Sequence, residues 1–151
     1  MMEVEVIKGS EEQIDQISDL FNQYRIFYEQ QSDLEGATAF IDERLKNKDS
    51  VIFLAVNKDR TEAYGFTQLY PSYSSVSMRK IWVLNDLYVT KASRRKGVAQ
   101  ALIAKANTLA CETGAKGLAL ETGENNIHAQ KLYESLGFEK EQGIYHYFLT
   151  V

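Results

Sequence analysis

The chain has 151 residues, of which 44% are hydrophobic and 25% charged, and its formal net charge is −4. These values are ordinary for a folded globular protein and exclude a disordered or fibrous class. The acidic balance disfavours nucleic-acid binding, which usually needs a basic surface. The longest purely apolar run, Val51–Val56, is far shorter than the roughly 20 residues of a membrane helix. Because residues 1–10 also lack the pattern of a secretory signal, we expect a cytoplasmic protein that binds neither nucleic acid nor membrane.

The first third of the chain predicts a short strand followed by two helices. Residues 4–6 alternate as in a strand, and Ser10 stands three positions before Gln13, the spacing of a capping box. The helix predicted there reaches about Gln30, and a second helix ends near Asn47. In both helices apolar residues recur three and four positions apart. These residues are Ile14, Ile17, Leu20, Phe21 and Tyr24 in the first helix, and Leu34, Ala37, Phe40, Ile41 and Leu45 in the second.

Three strands follow. Val51–Val56 and Ala63–Tyr70 are rich in β-forming residues and flank a polar turn, which predicts a hairpin. Pro71 then opens a loop rich in serine and tyrosine, residues 72–77, before a third extended segment at Arg79–Val89.

The last third predicts a helix at Gly97–Ala110, a short strand at Leu118–Leu120, a helix from about Asn126 to Leu136 and a terminal strand at Tyr145–Val151. The element order is therefore β-α-α-β-β-β-α-β-α-β. This order predicts an α/β fold, a single domain over residues 1–151 with a mixed central β-sheet flanked by helices.

The segment after the third strand of that group is typical of an anion site. A helix start exposes unpaired backbone N–H groups and the positive end of the helix dipole, and Gly97 and Ala99 leave room for a diphosphate to approach them. Four cations accompany them: Lys91, Arg94, Arg95 and Lys96. Charge alone would favour a solvated surface turn, whereas its combination with small residues and a helix start favours a phosphate site. The segment matches neither a Walker loop nor the dinucleotide GxGxxG pattern.

Two segments carry a family resemblance. Residues 94–99 read RRKGVA and resemble the Q/R-x-x-G-x-G/A signature of the GNAT superfamily of acyl-CoA N-acyltransferases. Residues 126–138 read NIHAQKLYESLGF and are similar to the family's second signature, N-x-x-A-x-x-L-Y-x-x-x-G-F. With the element order, the likeness covers nearly the whole chain. Residues 24–33 and 65–70 further resemble a bacterial subgroup labelled histone-acetyltransferase-like.

The resemblance implies acetyl-CoA as co-substrate, and no metal-ligand spacing occurs in the sequence. In the family, the backbone after the central strand pairs with the pantetheine arm, the turn amides hold the pyrophosphate, and an asparagine contacts CoA. The matching positions are Leu87, Tyr88 and Val89 in the strand, Arg94, Arg95, Lys96, Gly97, Val98 and Ala99 in the turn, and Asn126, with Tyr133 beside the thioester.

Acetyl transfer to an amine needs two proton movements, since the ammonium must lose a proton and the departing thiolate must gain one. The resemblance assigns the acid to Tyr133, whose alternative role is that of a half-buried helix tyrosine. Asp86 is the candidate base. Because aspartate is unusual within a strand, Asp86 either faces the cleft or marks a bulge in which its carboxylate binds backbone, and the sequence does not separate these alternatives.

The acceptor is expected to contact the first two helices and the loop after the third strand. We predict that it binds Tyr24, Arg25 and Tyr28, with Asn85 and Asp86 on the central strand. Tyr24 and Tyr28 could form an aromatic wall that holds an amine by cation–π contact. For Tyr24, core packing is an equal alternative. The wall would extend to Tyr70, Tyr73 and Trp82, of which Trp82 fits core packing better.

Charged residues near this wall indicate different acceptors. Arg25 could pair with the carboxylate of an amino acid, whereas Glu29, Asp33 and Glu35 could attract a polyamine or a protein lysine. The expected enzyme therefore acetylates a primary amine on a small molecule or a protein. The alternative is a noncatalytic CoA-binding or regulatory module of the same fold. The resemblance also implies a homodimer, for which residues 144–149 could supply a pairing strand.

Overall fold

The computed structural model describes residues 3–151. The chain divides into two compact units, of which the first ends at Leu120 and the second comprises Glu121–Val151. Among the described residues, the first unit contains the five-stranded sheet and three α-helices, and the second contains one α-helix. The predicted α/β class is confirmed, while the extent of a single domain over residues 1–151 stays a prediction.

The sheet has five strands in the spatial order β1-β2-β3-β4-β5. Neighbours among the first four are antiparallel, and β5 is parallel to β4, so the predicted mixed sheet is confirmed. The strands are β1 (Glu5–Lys8), β2 (Val51–Val56), β3 (Ala63–Ser74), β4 (Arg79–Val89) and β5 (Leu118–Ala119).

Three helices pack on this sheet: α1 (Ile14–Phe27), α2 (Leu34–Asn47) and α3 (Val98–Glu112). The predicted capping box precedes α1, where the backbone N–H of Ser10 donates to Gln13 Oε1 at 2.9 Å. α1 ends three residues before the predicted Gln30, because Glu29 has a left-handed φ of 65° that a helix cannot continue.

The core lies on both faces of β2. Ile52, Leu54 and Val56 pack with buried residues of α1 and α2, while the alternate residues Phe53 and Ala55 face the other side, which α3 covers. Each large apolar side chain buried in this way contributes about 1.5–3 kcal/mol. This two-sided burial fixes the sheet and thereby the position of β4.

The loop predicted to start at Pro71 is wrong, because β3 continues to Ser74 and Pro71 lies opposite Trp82 of β4. The other neighbour of β3 ends earlier, at the pair Val51↔Leu69. Beyond Leu69 that edge of β3 has no partner strand within residues 3–151, so a proline, which lacks an N–H group, removes no ladder hydrogen bond there.

The second unit contains α4 (Ile127–Ser135), close to its predicted bounds. The strand predicted at Tyr145–Val151 is wrong, since no residue from 139 to 151 is in a strand. Alternation of side chains is not sufficient for a strand, which also needs a neighbouring backbone to pair with. Within the described part of the chain, no helix combines the length and apolarity required to cross a bilayer.

Candidate active site

A β-bulge lies in the middle of β4. Gln68 of β3 is opposite Asp86, but the next residue, Leu69, is opposite Leu84, so Asn85 has no partner in the register. Asn85 is exposed, whereas Asp86 is buried, with 2% of its surface accessible.

Side-chain amides bind the carboxylate of Asp86 from two directions. Gln68 Nε2 donates to Oδ2 at 2.6 Å, and Asn85 Nδ2 donates to Oδ1 at 2.8 Å. Ser50 Oγ in turn donates to Gln68 Oε1 at 2.9 Å. The sequence alternative that placed Asp86 at a bulge is therefore right about the bulge. It is wrong about the partner of the carboxylate, which binds side chains and not the backbone.

Two phenols, Tyr24 on α1 and Tyr70 on β3, lie near this carboxylate. The Tyr24 hydroxyl donates to the Asn85 carbonyl at 3.3 Å, and its ring lies 5.0 Å from that of Tyr28. Burial and the charge of Asp86 raise the pKa of the Tyr24 phenol, and the same two causes raise the pKa of Tyr70 to about 12. Both phenols therefore stay protonated at neutral pH.

Burial also raises the pKa of the Asp86 carboxyl above its ordinary value. The hydrogen bonds from Asn85 and Gln68 and the neighbouring Tyr24 hydroxyl oppose this shift without cancelling it. A carboxylate with a raised pKa is a stronger proton acceptor than an exposed aspartate, which suits a general base.

The other residues predicted for the acceptor side have different surroundings. Arg25 Nη1 donates to the Gln31 carbonyl at 3.3 Å. Trp82 is buried and its Nε1 donates to Thr113 Oγ1 at 2.9 Å, so core packing is confirmed for it. Tyr73 is 73% exposed and follows Tyr70 by three strand positions, about 10 Å along β3. Neither Trp82 nor Tyr73 belongs to the group around Asp86.

The end of β4 has an open edge. β5 pairs with β4 only at Trp82 and Val83, so from Leu84 to Val89 that side of β4 has no strand partner among the described residues. Backbone N–H and C=O groups without a strand partner on this edge can bind an extended ligand as a strand would, although the Val89 carbonyl already accepts from Arg94 Nε. Leu87, Tyr88 and Val89, the residues predicted to pair with pantetheine, lie on this stretch.

A basic turn, residues 91–97, follows the end of β4. Arg95 and Gly97 both have left-handed φ values, 61° and 81°, and Gly97 is the N-cap of α3 without a side chain to bind the first amides. A Cβ at Gly97 would meet nothing within 4 Å, so no protein atom crowds the backbone at this position. An alternation of backbone conformations at a helix start forms a concave anion site. These features fit the pyrophosphate of CoA.

Arg94 is held by contacts that the sequence did not reveal. Its Nε donates to the Val89 carbonyl at 3.0 Å, and its guanidinium lies 5.5 Å from the Phe27 ring centroid and 5.7 Å from that of Tyr88. The Tyr88 hydroxyl donates to Gln23 Oε1 at 3.3 Å. The last turn of α1 is thereby joined to the basic turn.

Strand β3 approaches the end of β4 closely at Gly65. A Cβ on this residue would lie 2.5 Å from the Tyr88 carbonyl oxygen and 3.2 Å from Val89 Cα. Only glycine fits this spacing.

The second unit carries the remaining predicted residues, Asn126 and Tyr133. Asn126 is the N-cap of α4, and its Oδ1 accepts from the Ala129 N–H at 3.2 Å. Tyr133 is half-buried on α4, and its ring packs edge-on against Phe138 at 5.8 Å. Gly137, with a φ of 96°, allows the chain to leave the helix. No group of three or more metal-ligating side chains occurs among the described residues.

An open strand edge beside a basic helix start can accommodate an extended ligand that carries phosphate. Comparison with known proteins identifies the family of this protein: residues 14–138 match the acetyltransferase (GNAT) family, and the chain belongs to that family. It is an acyl-CoA-dependent acetyltransferase.

Individual relatives agree. The chain is 50% identical over 135 residues to an uncharacterized N-acetyltransferase, YhfO, of Bacillus subtilis strain 168, covering 89% of each chain. It resembles the crystal structure of a probable acetyltransferase with a TM-score of 0.92 and 39% identity over 97% of each chain. It shares its fold with aminoglycoside N-acetyltransferase AAC(6')-Iy solved in complex with CoA, at a TM-score of 0.82, 20% identity, and coverage of 100% of this chain and 97% of that one.

Proposed function

We propose that the enzyme transfers an acetyl group from acetyl-CoA directly to a primary amine held beside Asp86. The observation that carries this proposal is a buried carboxylate at a bulge of β4, flanked by Tyr24 and Tyr70 and lying on the stretch of β4 whose edge is open. An amine fits a site with a carboxylate and aromatic rings, because its N–H groups can donate to the carboxylate and its cationic form can pack on the rings.

Acetyl-CoA supplies the activated acetyl thioester, and the chain offers two kinds of group to hold it. The open backbone of β4 would bind the pantetheine arm, and the α3 amides with nearby cations would bind the pyrophosphate. Asn126 and Tyr133 join the proposal through the second family signature. The proposed contacts are Leu87, Tyr88, Val89, Arg94, Arg95, Lys96, Gly97, Val98, Ala99, Asn126 and Tyr133.

Two residues move the protons. Asp86 accepts the proton that the ammonium must lose, directly or through water, and Tyr133 donates a proton to the departing thiolate. No covalent enzyme intermediate is required, so both substrates bind before transfer. Intersecting lines in initial-rate plots against the two substrates support this order of events, whereas parallel lines would show an acetyl-enzyme.

For the acceptor we propose a primary amine recognised by Tyr24, Tyr28, Asn85 and Asp86, with Arg25 at the rim. The carboxylate of Asp33 caps α2 by accepting from the Gly36 N–H at 2.9 Å, which reduces its role in attracting a polycation. The test is a panel of amino acids, polyamines, aminoglycosides and lysine peptides with acetyl-CoA, following free thiol and product mass. Acetylation of an amine nitrogen is expected. Exclusive acetylation of a hydroxyl oxygen would contradict the proposal.

Phe27→Leu is expected to weaken CoA binding about two- to fivefold, the effect of an exposed cation–π contact. The leucine keeps an apolar side chain but removes the ring that faces the Arg94 guanidinium. Titration calorimetry with CoA measures the change. Phe27→Tyr retains the ring and should bind CoA as the parent does.

The same loss should disappear in an Arg94→Ala background, since the ring then has no guanidinium to hold. An equal loss in both backgrounds would show that Phe27 acts through α1 alone and would reject its link to the basic turn.

We also propose that the protein is a cytoplasmic homodimer. The support is the family resemblance together with residues 144–149, a run of apolar and aromatic side chains whose backbone is in no strand. Sedimentation velocity at micromolar concentration should give twice the chain mass, and a monomer at all concentrations would reject the dimer.

A further inference from the structure

We propose that Gln68 is a positioning residue that orients the Asp86 carboxylate as a base, and that Ser50 stabilises the orientation of the Gln68 amide. This inference rests on the proposed role of Asp86. It adds two residues that belong to neither family signature, one on β3 and one immediately before β2.

The geometry singles out Gln68. Its side chain is fully buried, with 0% accessible surface, at the register position opposite Asp86. A buried amide costs free energy unless both of its ends are paired. Here both are: Nε2 donates to Asp86 Oδ2 at 2.6 Å, and Oε1 accepts from Ser50 Oγ at 2.9 Å. Any aliphatic residue of similar size would fill the space, so the amide is explained by the carboxylate.

The Ser50 hydroxyl stabilises the amide orientation in which the Gln68 donors face the carboxylate, which only accepts hydrogen bonds while it is ionised. While this hydroxyl donates to Oε1, the N–H donors of Gln68 must point toward Asp86. A donor aimed at an ionised oxygen forms a charge-assisted bond, and this bond favours the ionised, proton-accepting state of the base.

The other polar and charged groups near the Asp86 carboxylate lie on α1, α2, β3 and β4 and between α2 and β2. Asn85 donates to its second oxygen, and the phenols of Tyr24 on α1 and Tyr70 on β3 stay protonated. Beyond Tyr70 lie the charges of Arg44 on α2 and Asp49, which form an ion pair at 3.1 Å. Removing Gln68 therefore leaves these groups in place while weakening the ionised form of Asp86.

The test is the pH dependence of kcat/KM for Gln68→Met, which keeps the volume and removes the donor. We expect the acid limb to move to higher pH, with about a tenfold loss of kcat/KM below the parent's limb and recovery above the displaced limb. Ser50→Ala should move the limb in the same direction by less. A purely structural defect would instead lower kcat/KM equally at every pH.

Thr67→Val is the matched control. Thr67 is also fully buried on β3, but its hydroxyl donates to the backbone carbonyl of Asp86, at 2.7 Å, and not to the carboxylate. Its acid limb should coincide with that of the parent. A limb displaced as far as in Gln68→Met would show that any damage near the bulge has this effect, and the inference would fail.

Asp86→Asn separates failure of the proposed base, Asp86, from failure of the proposed positioning residue, Gln68. If this variant retains the parent's acid limb, Asp86 is not the base and the proposed function fails. If it loses the limb but Gln68→Met keeps it unchanged, the inference alone is overturned.

Should circular dichroism show that Gln68→Met does not fold, Ser50→Ala becomes the deciding variant. An acid limb at higher pH supports the chain of hydrogen bonds from Ser50 through Gln68 to Asp86, and an unchanged limb rejects it.

Discussion

Asp86→Asn is expected to lower kcat/KM about 10²- to 10⁴-fold, the usual contribution of a general base, and at the same time to raise the melting temperature at neutral pH. The activity falls because an amide cannot accept the proton of the ammonium. The loss should shrink toward alkaline pH, where a larger fraction of the amine is already deprotonated.

The stability gain follows from the sign of the pKa shift. Burial raises the pKa of Asp86 above its ordinary value of 3.8, so the folded protein binds this proton more tightly than the unfolded chain. The free energy of unfolding therefore falls as pH rises from about 4 through the folded pKa. Asparagine has no charge to bury. The gain in melting temperature should be largest above the folded pKa of Asp86 and should vanish near pH 4.

The site can accommodate the asparagine. Its new N–H donors would face those of Gln68, but the Gln68 amide can turn over if the Ser50 hydroxyl accepts instead of donating. Asp49→Asn is the control, because that carboxylate is 45% exposed and paired with Arg44. It should keep the parent's acid limb. A pH profile of Asp86→Asn identical to that of the parent would remove Asp86 as the base.

The helices and most strands could be predicted because their signals are local. The capping box at Ser10 and the three-and-four spacing of apolar residues act within one or two turns, and α2 has its predicted bounds. The error at Pro71 has a non-local cause. Whether a proline breaks a strand depends on how far the neighbouring strand extends, and the end of β2 beside Leu69 cannot be read from the residues around Pro71.

In the candidate site, too, the features with local signals could be predicted and those that depend on strand pairing could not. The basic turn and Asp86 stand out in the sequence, whereas Gln68 becomes meaningful only when the register places it opposite Asp86. A signal for it exists: Thr67 and Gln68 are consecutive polar residues within the buried segment of β3, Tyr64–Leu69, whose other members are apolar or aromatic. Polar residues at such positions need partners, but the sequence does not say which.

Tyr133→Phe is the second change with a large expected effect. We expect kcat to fall about 10²- to 10³-fold, within the range for removal of a general acid, while the Kd for acetyl-CoA stays close to that of the parent. A phenol of ordinary pKa about 10 can protonate a thiolate. Phenylalanine retains the ring that packs against Phe138 and removes the proton donor.

The pH profile separates catalysis from packing in this variant. An acid that must be protonated produces an alkaline limb in kcat, and Tyr133→Phe should abolish it, whereas loss of packing alone would leave the limb in place at a lower rate. Tyr64→Phe, at a buried tyrosine of β3 outside the proposed site, should match the parent in both respects. If Tyr133→Phe turns over at the parent rate, the thiolate must take its proton from water or another side chain, and the family signature would then mark a CoA contact only.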